Sequence, residues 1–235
     1  MQQQASPIKR FTTPVSVQAV VIDLDGTLLH TAPELCAAAN CMLRDIGYTP
    51  VSQELLSSYI GNGISWLVKR ALTGEMHATP DAALYEHAMP IFEKHYAGLL
   101  LGSKLCDGVI EGLEAMRAEG FRMGCITNKA ARFTGPLLEG AGLAKYFEIV
   151  LSGDTLPEKK PHPLPLLHVA EFFGVPVEQL LLIGDSLNDT LAARAAGCPV
   201  FCVPYGYNHG EPAEALDTDA VIANLSAALP LIKHA

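Results

Sequence analysis

Two rhythms of apolar residues divide this chain. Val17–Leu24 (VQAVVIDL) is a short β-branched run that ends in Asp-Gly-Thr, and it predicts a buried strand followed by a loop. From Pro33 to about Leu101 the spacing becomes helical, with segments over Pro33–Gly47, Gln53–Tyr59, Ile64–Leu72 and Asp81–Leu101, broken at Gly61-Asn62-Gly63. From Val109 the pattern alternates. Helices are expected at Ile110–Glu119, Ala130–Glu139, Leu164–Phe173, Asp189–Ala196 and Leu225–Lys233. Strands are expected at Arg122–Ile126, Phe147–Ser152, Leu180–Gly184 and Val200–Val203. Continuous apolar strands alternating with helices predict an α/β fold: a parallel sheet covered on both faces, in three layers. The first strand must rejoin that sheet, so the helical block between is an insert. The expected division is a loose polar tail over 1–16, a core over 17–32 and 104–235, and a small all-helical cap over 33–103.

Composition narrows the function classes. Of 235 residues, 49% are apolar and 17% charged, which supplies a core and excludes disorder as the main state. The net charge of −9 argues against a nucleic-acid partner and against an anionic membrane, both of which demand clustered Lys and Arg. No apolar run has the length of a bilayer span or the form of a signal peptide. Six cysteines are scattered without a Cys-x-x-Cys pair and read as reduced thiols, which points to the cytoplasm.

Parallel α/β sheets carry their sites at the carboxyl ends of strands, so the segments there are the candidates for chemistry. The first strand ends in Asp23-Leu24-Asp25-Gly26-Thr27, the next in Thr127-Asn128, and a later one in Gly184-Asp185-Ser186-Leu187-Asn188-Asp189; Lys159-Lys160-Pro161-His162-Pro163 lies between. Taken singly, Asp-Gly is an ordinary turn and an Asp after a strand an ordinary helix cap. Taken together, four carboxylates, a hydroxyl and a cation would converge on one rim. Crowded carboxylates repel unless a cation joins them, and an all-oxygen donor set favours Mg²⁺. A calcium loop is excluded because Gly26 is fourth rather than sixth in its frame. A phosphate-binding Gly-x-x-x-x-Gly-Lys loop, a Gly-x-Gly-x-x-Gly, a His-Glu-x-x-His and a Gly-x-Ser-x-Gly are all absent.

In this order the four segments resemble the haloacid dehalogenase superfamily of phosphohydrolases. The likeness spans residues 23–189, and the helical insert resembles that family's first class of cap. The resemblance implies Asp23 as nucleophile and Asp25 as general acid and base. Thr127 and Asn128 would hold phosphate oxygens, and Lys160 would neutralise the transferring group. Asp23, Asp25 and Asp185 would bind Mg²⁺, with Asp189 one shell further out. Lys159 is expected to be a solvated neighbour. Three further segments, Tyr59–Gly63, Gly153–Pro163 and Tyr205–Gly210, resemble the branch of the family that hydrolyses 2-phosphoglycolate. A phosphatase of another small ester such as a sugar phosphate, a phosphomutase, or a phospho-ligand sensor with vestigial motifs are the alternatives. The expected partner is a small phosphorylated metabolite, and the expected assembly a monomer or homodimer. Relatives commonly carry Asp at the position of His30. In the cap, Gly61, Asn62, Gly63 and Arg70 are candidates for substrate contact; Arg44 and Lys69 in the cap and Arg132 on the core are further candidate cations.

Overall fold

A computed structural model describes residues 11–235. The central sheet has six parallel strands, and its middle strand is β2 (Ala19–Ile22). On one side of β2 lie β5 (Arg122–Ile126) and β6 (Ile149–Leu151). On the other lie β7 (Leu180–Gly184), β8 (Val200–Cys202) and β9 (Ala220–Val221). All four residues of β2 are buried, as are all five of β7. Val20 and Ile22 pack into one apolar cluster; Ala19 and Val21 pack into another. That is the period-two signature of a sheet with apolar layers on both faces. α7 (Leu164–Phe173) and α8 (Leu187–Ala196) cover the face of Ala19 and Val21. α5 (Val109–Ala118) and α6 (Ala131–Gly140) contribute Leu113, Met116, Phe133 and Leu137 to the other.

The chain between β2 and β5 leaves the sheet through a two-strand ribbon, β3 (Leu29–His30) paired antiparallel with β4 (Lys104–Leu105). Four helices lie between them: α1 (Ala32–Asp45), α2 (Gln53–Ser58), α3 (Ile64–Thr73) and α4 (Ala82–Leu99). α1 takes Pro33 in its first turn, where a missing N–H is harmless, and α4 opens on an Asp81 side chain that accepts from Ala83 and Leu84 N–H. Their apolar faces, with Leu35, Met42, Leu67, Phe92 and Tyr96, join the cluster that contains Val20 and Ile22, so one core runs from the sheet into the helices. Among the described residues, no helix is long and apolar enough to cross a membrane.

Two expectations change. Residues 1–10 lie outside the described residues, but the rest of the expected tail is partly ordered. β1 (Val15–Val17) pairs in parallel with β10 (Ile232–His234), and its apolar–polar–apolar alternation buries both valines. The run read as one strand from Val17 is therefore two, broken at Gln18. At the other end, the expected helix Leu225–Lys233 is a 3₁₀ turn, Leu225–Leu231, that gives way to β10. Pro230 lacks the N–H that a longer α-helix would use.

α5 approaches that 3₁₀ turn through Gly112. A Cβ there would sit 2.8 Å from the Leu225 and Ser226 backbone. Gly112→Ala is expected to cost about 1–3 kcal/mol by overpacking. Chemical denaturation measures it, and an unchanged midpoint would show that this junction yields.

Candidate active site

Strand register brings the motifs to one height. Ile22 lies opposite both Cys125 and Ile183, so Asp23 follows level with Ile126 and Gly184, and Thr127 and Asp185 lie one residue further out. The Lys160 ammonium is buried among them. It lies 2.9 Å from Asp23 Oδ1 and 2.6 Å from Asp189 Oδ1, and it donates to the Ile126 carbonyl at 2.8 Å. Burial alone would lower its proton affinity, but Asp189 and Asp23 outweigh burial and raise it. Asp189 is spent locally. Its Oδ1 faces Lys160, while its Oδ2 accepts from the Ser186 amide and hydroxyl and from the Asp185 amide. This capping box starts α8 at Leu187, two residues earlier than the spacing suggested.

Asp23 and Asp185 are differently placed. Asp23 Oδ1 has Lys160 beside it but accepts no hydrogen bond. Asp185 accepts from the Tyr207 amide through Oδ2. Gly26 and Gly206 make room for this carboxylate, since a Cβ at either would collide with it; Gly26 also has φ +82°, a conformation that suits glycine. Burial pushes the Asp23 carboxyl up to about 7, against the pull of Lys160 and with help from Asp189. Burial, then Asp189 and Asp23, raises Asp185 as well. Ligand oxygens of Asp23, Asp185 and Asp189 lie within 4.8 Å of one another. Three carboxylates around one ammonium leave two negative charges in excess when all are ionised. A divalent cation matches that excess, and the all-oxygen donors suit a hard one. With Asp189 saturated, Asp23 and Asp185 are the carboxylates able to hold it.

Above this rim closes the loop 59–63. Asn128 Nδ2 donates to the Gly61 carbonyl at 3.2 Å and Asn188 Nδ2 to the same carbonyl at 3.3 Å. Lys159 Nζ donates to the Asn62 carbonyl at 3.1 Å, and His209 Nδ1 lies 2.6 Å from the Ser58 carbonyl. Lys159 is thus half-buried against the loop rather than a solvated neighbour of Lys160. Between rim and loop lies a cavity of about 30 Å³, lined by Asp23, Asp25, Thr127, Asn128 and Lys129 below and by Leu35, Ile60, Gly61, Gly63, Ile64 and Leu67 above.

The expected candidate cations, three in the cap and Arg132 on the core, do not line this cavity. Arg70 is buried with its guanidinium spent on the Met76 and Tyr59 carbonyls at 3.0 and 2.7 Å and on Asn62 Oδ1 at 2.8 Å. It braces the loop from within, and the Asn62 side chain is held between it and Asn188. Arg44 is exposed, Lys69 lies over the Trp66 and Tyr85 rings, and Arg132 pairs with Glu93. His30 sits in β3 with its ring edge-on to Tyr205, 5.9 Å between centroids. The cation that does line the cavity is one the sequence reading passed over. Lys129 is 2% exposed and donates to Asp25 Oδ1 and Oδ2 at 2.8 and 3.0 Å. Burial opposes its charge, but Asp25 and Tyr96 more than compensate and raise its proton affinity. Its position directly after Thr127-Asn128 at a strand end was the available signal. Tyr207, whose hydroxyl accepts from the Ala32 amide at 3.0 Å, was also missed.

Residues 20–203 match the family model described as haloacid dehalogenase-like hydrolase. The chain belongs to that family. It is 60% identical over 223 residues to a phosphoglycolate phosphatase of Thiobacillus denitrificans, covering 94% of this chain and 98% of the relative. It is 53% identical to another from Nitrosospira multiformis, over 94% and 97%. A crystal structure described as a predicted phosphoglycolate phosphatase from Haemophilus somnus superposes with TM-score 0.84 at 32% identity, covering 91% of this chain and 96% of that one.

Because the folded state holds the Asp23 proton more tightly than an unfolded chain does (about 7 against 3.8), the metal-free protein is expected to lose stability as pH rises from about 4 to 7. Mg²⁺ is expected to abolish that loss. Thermal midpoints in EDTA and in Mg²⁺ across this range check it; a flat profile in EDTA would contradict the raised proton affinity.

Proposed function

We propose that this chain is a Mg²⁺-dependent phosphomonoesterase that works through an aspartyl-phosphate and hydrolyses 2-phosphoglycolate to glycolate and phosphate. The observation that carries this reading is the pair of carboxylates, Asp23 and Asp25, facing one cavity while each is held by its own buried lysine. In this reading an Asp23 oxygen attacks phosphorus as the bond from phosphorus to the leaving oxygen breaks, and Asp25 delivers a proton to that oxygen. A water then attacks the phosphorylated Asp23, Asp25 takes its proton, and inorganic phosphate leaves with the Asp23 carboxylate restored. Thr127 and the Asn128 backbone orient phosphate oxygens, and Lys160 offsets their charge. Asp23, Asp185 and the main-chain oxygen of Asp25 would hold Mg²⁺, which supplies Lewis-acid relief of the repulsion between nucleophile and phosphate.

The substrate assignment rests on the identity to phosphoglycolate phosphatases and on the shape of the cavity. A volume of about 30 Å³ is tight for a phosphate ester, and a lift of the loop 59–63 would make room for one. Reclosure over apolar Leu35, Ile60, Ile64 and Leu67 suits a short leaving group and keeps bulk water from the phosphorylated aspartate. Burial of five of the six free cysteines fits a reducing compartment, the cytoplasm.

Phosphate release from 2-phosphoglycolate, set beside sugar phosphates, nucleotides and pyrophosphate, tests the assignment. It is expected to lead in kcat/KM, and to vanish with EDTA. A sugar phosphate in the lead would keep the chemistry and overturn the substrate; transfer between sugar hydroxyls without net release would make the chain a mutase. Asp23→Asn is expected to abolish turnover of every ester in a protein that still unfolds cooperatively, and full activity in that variant would sink the aspartyl-phosphate route.

A further inference from the structure

The two buried lysines at the rim are not equivalent. Lys160 donates to Asp189 and to the Ile126 carbonyl and is ion-paired with Asp23, so three oxygens, two of them carboxylate, surround it. It stands on the side of the nucleophile. Lys129 stands on the other side. Two of its donors go to the two oxygens of Asp25, and its remaining partner is Tyr96, whose ring centroid is 5.0 Å away. An uncharged phenol is a weaker partner than a carboxylate. Lys129 is also, among the described residues, the one ammonium or guanidinium lining the cavity.

Position and surroundings then select a ligand. On the reading above, Asp25 lies against the oxygen that joins phosphorus to the leaving group. A cation within 3.0 Å of both Asp25 oxygens is therefore placed beside that oxygen, at the leaving-group end. In a 2-phosphoxy acid the carboxylate is separated from the same oxygen by one carbon, which puts it within reach of the ammonium. The opposite wall, Leu35, Ile60, Ile64 and Leu67, offers no side-chain polar group, and a carboxylate buried against such a wall must be paired. The cations on the helical insert that could have served instead are committed elsewhere or exposed.

We propose that Lys129 is the specificity-determining residue of this site: it receives the carboxylate of the leaving group, and so selects short phosphate esters with a carboxylate next to the ester carbon. This rests on the phosphatase reading above and extends it to a residue which that reading leaves without a role.

The test is a cycle between enzyme and substrate. The Mg²⁺-loaded full chain and its Lys129→Met variant are each assayed with 2-phosphoglycolate and with its carboxamide analogue, which keeps size and removes charge. In the unaltered protein the carboxylate is expected to lead in kcat/KM by about 10- to 100-fold, the range of one charge-assisted hydrogen bond. In Lys129→Met that ratio is expected to collapse towards one, chiefly through KM for 2-phosphoglycolate. Lys129→Arg, which keeps the charge, is expected to retain most of the ratio. If the variant lowers both substrates by the same factor and the ratio survives, Lys129 acts only on Asp25 and the proposal is overturned. If Lys129→Met does not fold, the unaltered protein still decides: a carboxylate-to-carboxamide ratio near one overturns the proposal. Should 2-phosphoglycolate fail to outrun unrelated esters in the unaltered protein, the substrate reading itself fails first, and is seen to fail before any variant is made.

Discussion

The Lys160 ammonium is the joint on which this site turns. It ties the end of β5, through the Ile126 carbonyl, to Asp23 after β2 and to Asp189 in the first turn of α8. A buried charge is tolerable only when paired, and a second buried carboxylate beside the first is tolerable only when a cation stands between them. One ammonium meets two such demands, yet with Asp185 alongside it leaves two negative charges over. The sheet therefore holds a standing electrostatic deficit at its carboxyl edge. Asp23 and Asp185 relieve it by taking up protons more readily than ordinary carboxyls, and a divalent cation relieves it without protonation.

The loop above answers a different constraint. A loop that crosses the rim presents main-chain carbonyls, and buried carbonyls need donors. Asn128, Asn188 and Lys159 supply them from the core, and Arg70 supplies them from within the helices. The same contacts that satisfy the loop close the cavity, so opening it breaks several modest hydrogen bonds at once. An arrangement of this kind favours a closed state without locking it.

Much of this was legible in the residues. β5, β7 and α7 lie where their patterns put them, because long continuous or strongly periodic runs leave little choice. The four strand-end segments meet at one rim because register in a parallel sheet sets their heights. The two-residue strands β3, β4 and β9 were invisible, since their pairing depends on where distant segments approach. Arg70 and Lys129 show the harder limit. Sequence favours a surface or substrate role for an arginine on an amphipathic helix, yet this one is consumed by carbonyls. The lysine after Thr127-Asn128 was passed over, because its pairing with Asp25 depends on the tertiary fold that buries the two together.

The central claim is that the rim carries a charge deficit which protons and a divalent cation compete to fill. Calorimetric titration of Mg²⁺ into the metal-free protein, in buffers of different ionisation enthalpy, counts the protons that leave as the metal enters. The account predicts net proton release near pH 6, where the Asp23 carboxyl is largely protonated, fading above pH 8. Binding with no proton release at either pH would contradict it.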